Sequence, residues 1–212
     1  MEQKEISKAV LKRLPVYLSY LKSMPEDAGA YISATALANA LGMGEVQVRK
    51  DLAQISNGGK PKLGYVRERL MDDIEQFLGY DNTTDAVLIG AGKLGQALSD
   101  YSGFAHYGLN ILAAFDLAPA SESTVSGKPI YPMEKLEYFC KINKVRMGII
   151  TVPAAQAQQV CDLLIDCGIR AIWNFAPTHL DVPGHILVQN EDMATSLAVL
   201  SMHLQAQYKE KK

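Results

Sequence analysis

Gly90-Ala91-Gly92-Lys93-Leu94-Gly95 follows the apolar run Ala86-Val87-Leu88-Ile89 without a spacer and leads into a helix-forming stretch. A glycine turn between a strand and a helix leaves the surrounding chain few architectures, because each glycine serves a different close approach. Gly90 permits the tight turn, Gly92 lets the backbone approach a pyrophosphate, and Gly95 lets the helix pack on the sheet. The start of that helix adds unpaired amides and a partial positive charge. The whole loop, Gly90, Ala91, Gly92, Lys93, Leu94 and Gly95, is expected to cradle a dinucleotide. Asp116 ends the next apolar run, Ile111 to Phe115. Its carboxylate is placed to accept from ribose hydroxyls and to repel a ribose 2′-phosphate, which favours NAD over NADP.

From Asp85 onward short apolar runs alternate with helical stretches. Strands are expected at Ala86 to Ile89, Leu109 to Phe115, Met147 to Thr151, Ala171 to Trp173 and Ile186 to Val188, and helices at Leu94 to Ser99, Pro132 to Asn143 and Ala154 to Cys167. That alternation predicts an α/β domain with a doubly wound, mostly parallel, Rossmann-like sheet. Two further loops follow apolar runs at strand ends, Thr151-Val152-Pro153 and Asn174-Phe175-Ala176-Pro177, and are expected to flank the nicotinamide end of the cofactor. In the last segment Met193, Leu197, Leu200 and Leu204 line one side of a helix, while Ala194, Ala198, Val199, Met202 and Ala206 cover much of the rest. A helix apolar nearly all round needs burial on more than one side. Insertion against a second subunit, as a swapped helix in a homodimer, answers that need; a helix folded back on its own sheet in a monomer is the alternative.

The N-terminal part reads differently. Val10, Leu14, Tyr17, Leu18 and Leu21 recur at helical spacing, with Pro15 expected near a bend or early turn and Pro25 with Gly29 closing the element. Ser33 or Thr35 caps a second helix, and Leu41-Gly42-Met43-Gly44 turns the chain into a third, Glu45 to Ser56. This is helix-turn-helix spacing. On a helical wheel Val48, Leu52 and Ile55 face the core, and Lys50 points away with Val46, Gln47, Ala53 and Gln54 around it and Arg49 on the flank. Such a face suits a major groove: lysine reaches guanine, glutamine reaches adenine or phosphate, and valine or alanine touches thymine methyls. The following Asn57 to Arg67, with glycines around Lys60, Pro61 and Lys62, predicts a thin β-hairpin, the wing of a winged helix, meeting phosphates or the minor groove. Three domains are therefore expected: residues 1–80 binding double-stranded DNA, 81–190 binding NAD(H), and 191–212 dimerising.

The net charge of −2 argues against nucleic-acid binding by bulk charge. Between Gln47 and Arg67, however, Arg49, Lys50, Lys60, Lys62 and Arg67 face a single acid, Asp51. Three cysteines without C-x-x-C spacing suggest neither a disulfide framework nor a metal site. No apolar run is long enough to span a bilayer and the start lacks a signal-peptide core, so a cytoplasmic protein is expected. A NAD-dependent dehydrogenase with a small accessory domain remains the competing function. It would need a substrate pocket and a general acid or base, whereas the four histidines are scattered and unpaired with acids.

Gln47-Val48-Arg49-Lys50-Asp51-Leu52, Gly64-Tyr65, Gly90 to Gly95, Asp100-Tyr101-Ser102-Gly103-Phe104, Phe115-Asp116, Thr151-Val152-Pro153 and Asn174-Phe175-Ala176-Pro177 together resemble the Rex family of redox-sensing transcriptional repressors, in order and over nearly the whole chain. The resemblance implies a homodimer, and no enzyme, that binds a palindromic DNA operator when NAD⁺ dominates and releases it when NADH binds. It further implies that Lys50 reads bases, that Arg49 and the wing residues Lys60, Lys62, Gly64 and Tyr65 hold the DNA with Gln47, and that Tyr101, Asp192 and Met193 form the redox switch. Two positions depart from the pattern: Ser19 stands where the family has an arginine that pairs with the switch aspartate, leaving Arg13 and Lys22 as nearby substitutes, and Met193 stands where the family has an aromatic residue.

Overall fold

A computed structural model gives the fold, and residues 6–210 are described. The chain divides into two compact units between Asn82 and Thr83.

The first unit begins with α1 (Lys8–Ser23), capped by Ser7, whose hydroxyl accepts from Val10 N at 3.4 Å. Pro15 lies inside this helix, beyond its first turn. A proline there costs about 3 kcal/mol through its missing N–H. Leu14, Tyr17, Leu18 and Leu21 are almost wholly buried along the same helix, and at about 1.5–3 kcal/mol for each large side chain their burial outweighs that cost. After β1 (Tyr31–Ile32), α2 (Ala34–Leu41) is capped by Ser33, which accepts from Ala36 N at 3.0 Å; Thr35 lies within the helix. Gly42, at φ +63°, caps the end of α2, and α3 (Glu45–Ile55) follows after the three-residue turn Gly42-Met43-Gly44. The segment after it corrects the expected hairpin. A single bridge, Lys60 with Gly64, closes a turn of Pro61, Lys62 and Leu63, and β2 (Tyr65–Val66) pairs antiparallel with β1. Longer hairpin arms do not form because Gly58 and Gly59 have little strand preference and Pro61 lacks a donor. α4 (Arg67–Leu78) closes the unit, burying Leu70 and Ile74 in the core built on α1 to α3.

The second unit contains β3 (Thr84–Ile89), α5 (Lys93–Asp100), β4 (Leu109–Asp116), β5 (Ile130–Pro132), α6 (Leu136–Asn143), β6 (Met147–Ile150), α7 (Ala154–Asp166), β7 (Ala171–Asn174), β8 (Leu187–Asn190) and α8 (Met193–Glu210). Its sheet runs β5-β4-β3-β6-β7-β8 with every neighbour parallel. Chain order reverses between β3 and β6, so a crevice opens at their carboxyl ends. β5 corrects the helix expected from Pro132: that residue ends a strand, a short 3₁₀ turn takes Met133–Lys135, and α6 starts only at Leu136. The core lies on both sheet faces, including Phe115, Ile150, Leu164 and Ile172 on one and Leu88, Ile111 and Ile149 on the other. The three cysteines are buried, and burial pushes the thiols of Cys140 to about 12 and Cys161 to about 11, so neither is a thiolate at neutral pH. α8 stands apart, with Leu197 63% and Leu200 66% exposed. Among the described residues no helix is long and apolar enough to cross a membrane, and no three or more His, Cys, Asp or Glu side chains gather as a metal site.

Candidate cofactor crevice and nucleic-acid interface

The end of β3 is held open by two glycines. Gly90 has φ +102°, which a side chain rarely adopts. A Cβ on Gly95 would sit 1.9 Å from the Gly90 carbonyl oxygen and 2.9 Å from Thr151 Oγ1. Gly95 thus lets α5 close on its own loop rather than on the sheet, the partner first expected. Thr151, just past β6, braces the loop: its hydroxyl lies 2.8 Å from the Gly90 carbonyl and 3.0 Å from that of Ile89. Asp116, at the end of β4, accepts from Ala91 N at 2.7 Å and from Ala118 N at 3.1 Å.

A cavity of about 480 Å³ opens at this point, lined by Gly90, Gly92, Asp116, Thr151, Val152 and Pro153 among the residues expected from sequence. Leu117, Met133, Gln156, Val160 and Leu163 also line it and were not anticipated. The last three share the i, i+4, i+7 stripe of α7, a helical pattern that locates a face but not what it faces. Ala91, Lys93, Leu94 and Gly95 build the loop without lining the cavity. A dinucleotide fits the residues present. A Cβ on Gly92 would meet nothing within 4 Å, and no side chain caps α5, so its first amides are left for an anionic group.

The Asn174 to Pro177 loop builds a different hollow. Ala176 and Pro177 line it with His179, Asn190, Glu191 and Asp192, apart from the glycine-loop cavity. Asn174 is fully buried and occupied by the loop itself: its amide donates to Ala176 O, Thr178 O and Asn190 Oδ1, and its oxygen accepts from Ala176 N at 3.0 Å. Its place is to brace the loop. Phe175 packs at a tilt against Trp173 at 4.8 Å, Trp173 meets Phe104 at 5.5 Å, and Phe104 meets Tyr101 edge-on at 4.9 Å. Tyr101 itself is exposed. Asp192 stands at the start of α8, accepting from Thr195 N at 2.9 Å and from the Thr195 hydroxyl, and that hydroxyl holds its carboxyl below the usual range. Met193 is exposed beside it. Neither substitute for the absent arginine is idle. Lys22 pairs with Glu75 at 2.6 Å, and Arg13 is engaged by Asp51.

That Arg13 contact reshapes the reading of α3. Val48 and Leu52 are fully buried, Ile55 is half-buried, and Val46, Gln47, Arg49, Lys50, Ala53 and Gln54 are exposed. Asp51, seen in sequence as the one acid among cations, is 3% exposed. Arg13 Nε donates to its Oδ2 at 2.7 Å and Arg13 Nη2 to its Oδ1 at 2.9 Å, while the Tyr17 hydroxyl donates to Oδ2 at 2.8 Å. Burial, then Asp51, pushes the Tyr17 hydroxyl up to about 12, so it stays a donor. The acid is turned inward and its charge matched, leaving the outer face to Lys50 and its neighbours. Arg49 pairs with Glu45 one turn earlier. In the wing Lys60 and Lys62 are exposed, but Tyr65 is buried, its ring beneath Gly59, where it supports the turn and is not part of the exposed face.

Comparison with known proteins covers both units. Residues 81–178 match the family model described as a CoA binding domain, and residues 5–53 match that described as a putative DNA-binding protein N-terminus. The redox-sensing transcriptional repressor Rex of Treponema denticola is 40% identical over 206 residues, covering 95% of this chain and 96% of that protein. The Rex repressor of Porphyromonas gingivalis is 38% identical over 197 residues, covering 92% of this chain and 90% of that protein. Among solved structures, RSP in complex with β-NAD⁺ and operator DNA superposes with a TM-score of 0.89 at 33% identity, over 98% of this chain and 96% of that one. RSP in complex with β-NADH superposes with a TM-score of 0.84 over 99% of this chain and all of that one. With identity of this level running through both units, the chain belongs to the Rex family of redox-sensing transcriptional repressors.

Proposed function

We propose that this protein represses transcription from a palindromic DNA operator in the cytoplasm and leaves the operator when NADH replaces NAD⁺. Residues 1–80 bind DNA, residues 81–190 bind the dinucleotide, and residues 191–212 join two copies in a homodimer. One observation carries the reading: the same chain holds an exposed helix face centred on Lys50, with the neighbouring acid Asp51 turned inward onto Arg13, and a glycine-loop crevice shaped for a dinucleotide. RSP, its structural relative, has been crystallised with operator DNA and NAD⁺ and with NADH.

The chain's own groups divide the work. Lys50 reads base edges, while Arg49, Lys60 and Lys62 meet phosphates. The first amides of α5 receive a pyrophosphate, and Asp116 accepts from ribose hydroxyls and repels a 2′-phosphate. Thr151 and Asn174 hold the two loops that flank the strand ends. The bound nicotinamide supplies the redox state that is sensed. Tyr101 and Asp192 form the switch, acting on the base of α8 at the dimer interface. No histidine lines the glycine-loop cavity among the described residues, which favours sensing over turnover.

The test is binding to a duplex operator, titrated at several NADH to NAD⁺ ratios with total dinucleotide held constant. Affinity should fall steadily as the NADH fraction rises, with no consumption of either form. Affinity independent of that ratio, or steady oxidation of NADH with an added carbonyl substrate, would overturn the proposal.

A further inference from the structure

Trp173, the one tryptophan of the chain, stands between two parts of the proposed switch that are far apart in sequence. On one side its ring meets Phe104 at 5.5 Å, and Phe104 meets Tyr101 edge-on. Tyr101 is folded over the 3₁₀ turn Ser102–Tyr107 that carries Phe104, so closely that a Cβ on Gly103 would collide with its ring. A shift of the tyrosine ring therefore changes the edge contact that Phe104 makes. On the other side the indole Nε1 donates to Glu191 Oε1 at 2.9 Å. Glu191 directly precedes Asp192, whose carboxylate caps α8 by accepting from Thr195 N. We infer that Trp173 and Glu191 are a positioning pair that couples Tyr101 to the base of α8, one indole carrying a change at the tyrosine to the residue beside Asp192. This deepens the redox-switch reading and rests on it.

The bond is not needed to hold the sheet together. β7 and β8 are already paired in register, Trp173 beside Gln189 and Asn174 beside Asn190, and Glu191 N donates to Asn174 O at 2.8 Å. That ladder secures the backbone up to residue 191 and leaves the Glu191 side chain free to turn. The indole removes this freedom. It has a single N–H and no acceptor, so the bond to Glu191 uses all of its hydrogen-bonding capacity, and the charged acceptor makes the bond stronger than a neutral one. Both side chains are half-buried, and Phe175 backs the indole at 4.8 Å. A displaced ring must then carry the carboxylate with it or give up the bond. Adjacency of this kind becomes coupling only when perturbing the pair alters the response between the two ends, which is what the test measures.

The readout is a linkage factor: the affinity of the full-length protein for a duplex it selects from a randomised pool, in saturating NAD⁺, divided by that in saturating NADH. Calorimetry gives NADH affinity separately. Trp173→Phe keeps an aromatic ring and loses the N–H, and Glu191→Ala loses the acceptor. Each should hold NADH affinity within threefold of wild type and lower the linkage factor at least fivefold. Glu191→Gln keeps an oxygen for the indole and should stay within twofold of the wild-type factor. Trp173→Phe combined with Glu191→Ala should lose no more than the larger single loss, since both remove the same bond. A wild-type factor in either folded single variant would overturn the inference, even with lowered stability or NADH affinity, because a merely structural pair behaves that way. Losses that multiply in the double variant would overturn it too, as would Glu191→Gln as impaired as Glu191→Ala. Should one single variant not fold, the other decides together with Glu191→Gln. A wild-type protein whose affinity for its duplex ignores NADH would instead overturn the switch reading beneath the inference.

Discussion

Gly95→Ala puts one methyl group where the glycine loop has no room. The new Cβ would lie 1.9 Å from the Gly90 carbonyl oxygen, whereas carbon and carbonyl oxygen ordinarily approach to about 3.3 Å. A separation of roughly 1.4 Å must be found, and the Gly90 carbonyl is tied at 2.8 Å to the Thr151 hydroxyl, which itself lies 2.9 Å from the new Cβ. Overpacking of this kind costs about 1–3 kcal/mol, and a clash with a backbone carbonyl rather than a movable side chain argues for the upper half of that range. Alanine returns about 1 kcal/mol because it favours a helix more than glycine does. The net loss is then about 1–2 kcal/mol, a fall in melting temperature of roughly 3–10 °C for a unit of this size. The easier relaxation is for Gly90 to Gly92 to lift away from α5, spoiling the anion cradle, so NADH affinity should fall by about tenfold or more. Calorimetric titration with NADH and a thermal melt of the same preparation measure both. NADH binding within twofold of wild type would show that the loop does not touch the dinucleotide, whatever the melt reports.

Lys50→Ala should cost about 1–3 kcal/mol on the operator and little on random duplex, while Lys60→Ala should weaken both alike and flatten the salt dependence by about one unit; equal losses for Lys50→Ala on both duplexes would remove it from base readout. Asp116→Ala should weaken NADH and narrow the preference over NADPH, measured by calorimetry, and an unchanged preference would exclude the carboxylate from ribose recognition. Truncation before Glu191 should give a monomer by sedimentation that no longer responds to NADH. A truncated protein that stays dimeric and responsive would refute the α8 interface and switch.

The glycine crevice was legible because its parts are contiguous: strand, turn and helix follow one another, and the acid ends the next strand. The outward face of α3 was legible for the same reason, since a wheel needs only the helix itself. What escaped the sequence was every feature set by distant partners. Asp51 looks like one more surface charge until Arg13, 38 residues earlier, is brought against it. β5 is three residues long and ends in Pro132, so its signal is weaker than that of the helix after it, and only the pairing of Ala114, Phe115 and Asp116 with Ile130, Tyr131 and Pro132 makes it a strand. Pro15 argues locally against the helix that tertiary burial of its neighbours imposes. The loops after β6 and β7 look equivalent in sequence, yet one lines the glycine-loop cavity and the other a separate hollow, because Asn174 spends its side chain on folding its own loop back toward β8.

α8 carries this dependence on distant partners beyond the single chain. Its apolar circumference was readable in sequence, and in the structure Met193, Leu197, Leu200, Met202 and Leu204 all remain more than half exposed, so its own unit does not supply the burial such a helix needs. If a second subunit covers it, as proposed, each of these side chains contributes up to about 1.5–3 kcal/mol to the interface. Moving a two-state equilibrium from almost wholly one form to the other takes about 5.5 kcal/mol of differential ligand affinity. Two or three of these side chains changing their burial therefore match the whole range a dinucleotide must command. On this proposal the dimer need not dissociate; a partial repacking around α8, beginning where Asp192 caps it through Thr195 N, is of the right size to change how two recognition helices are spaced on a two-fold operator.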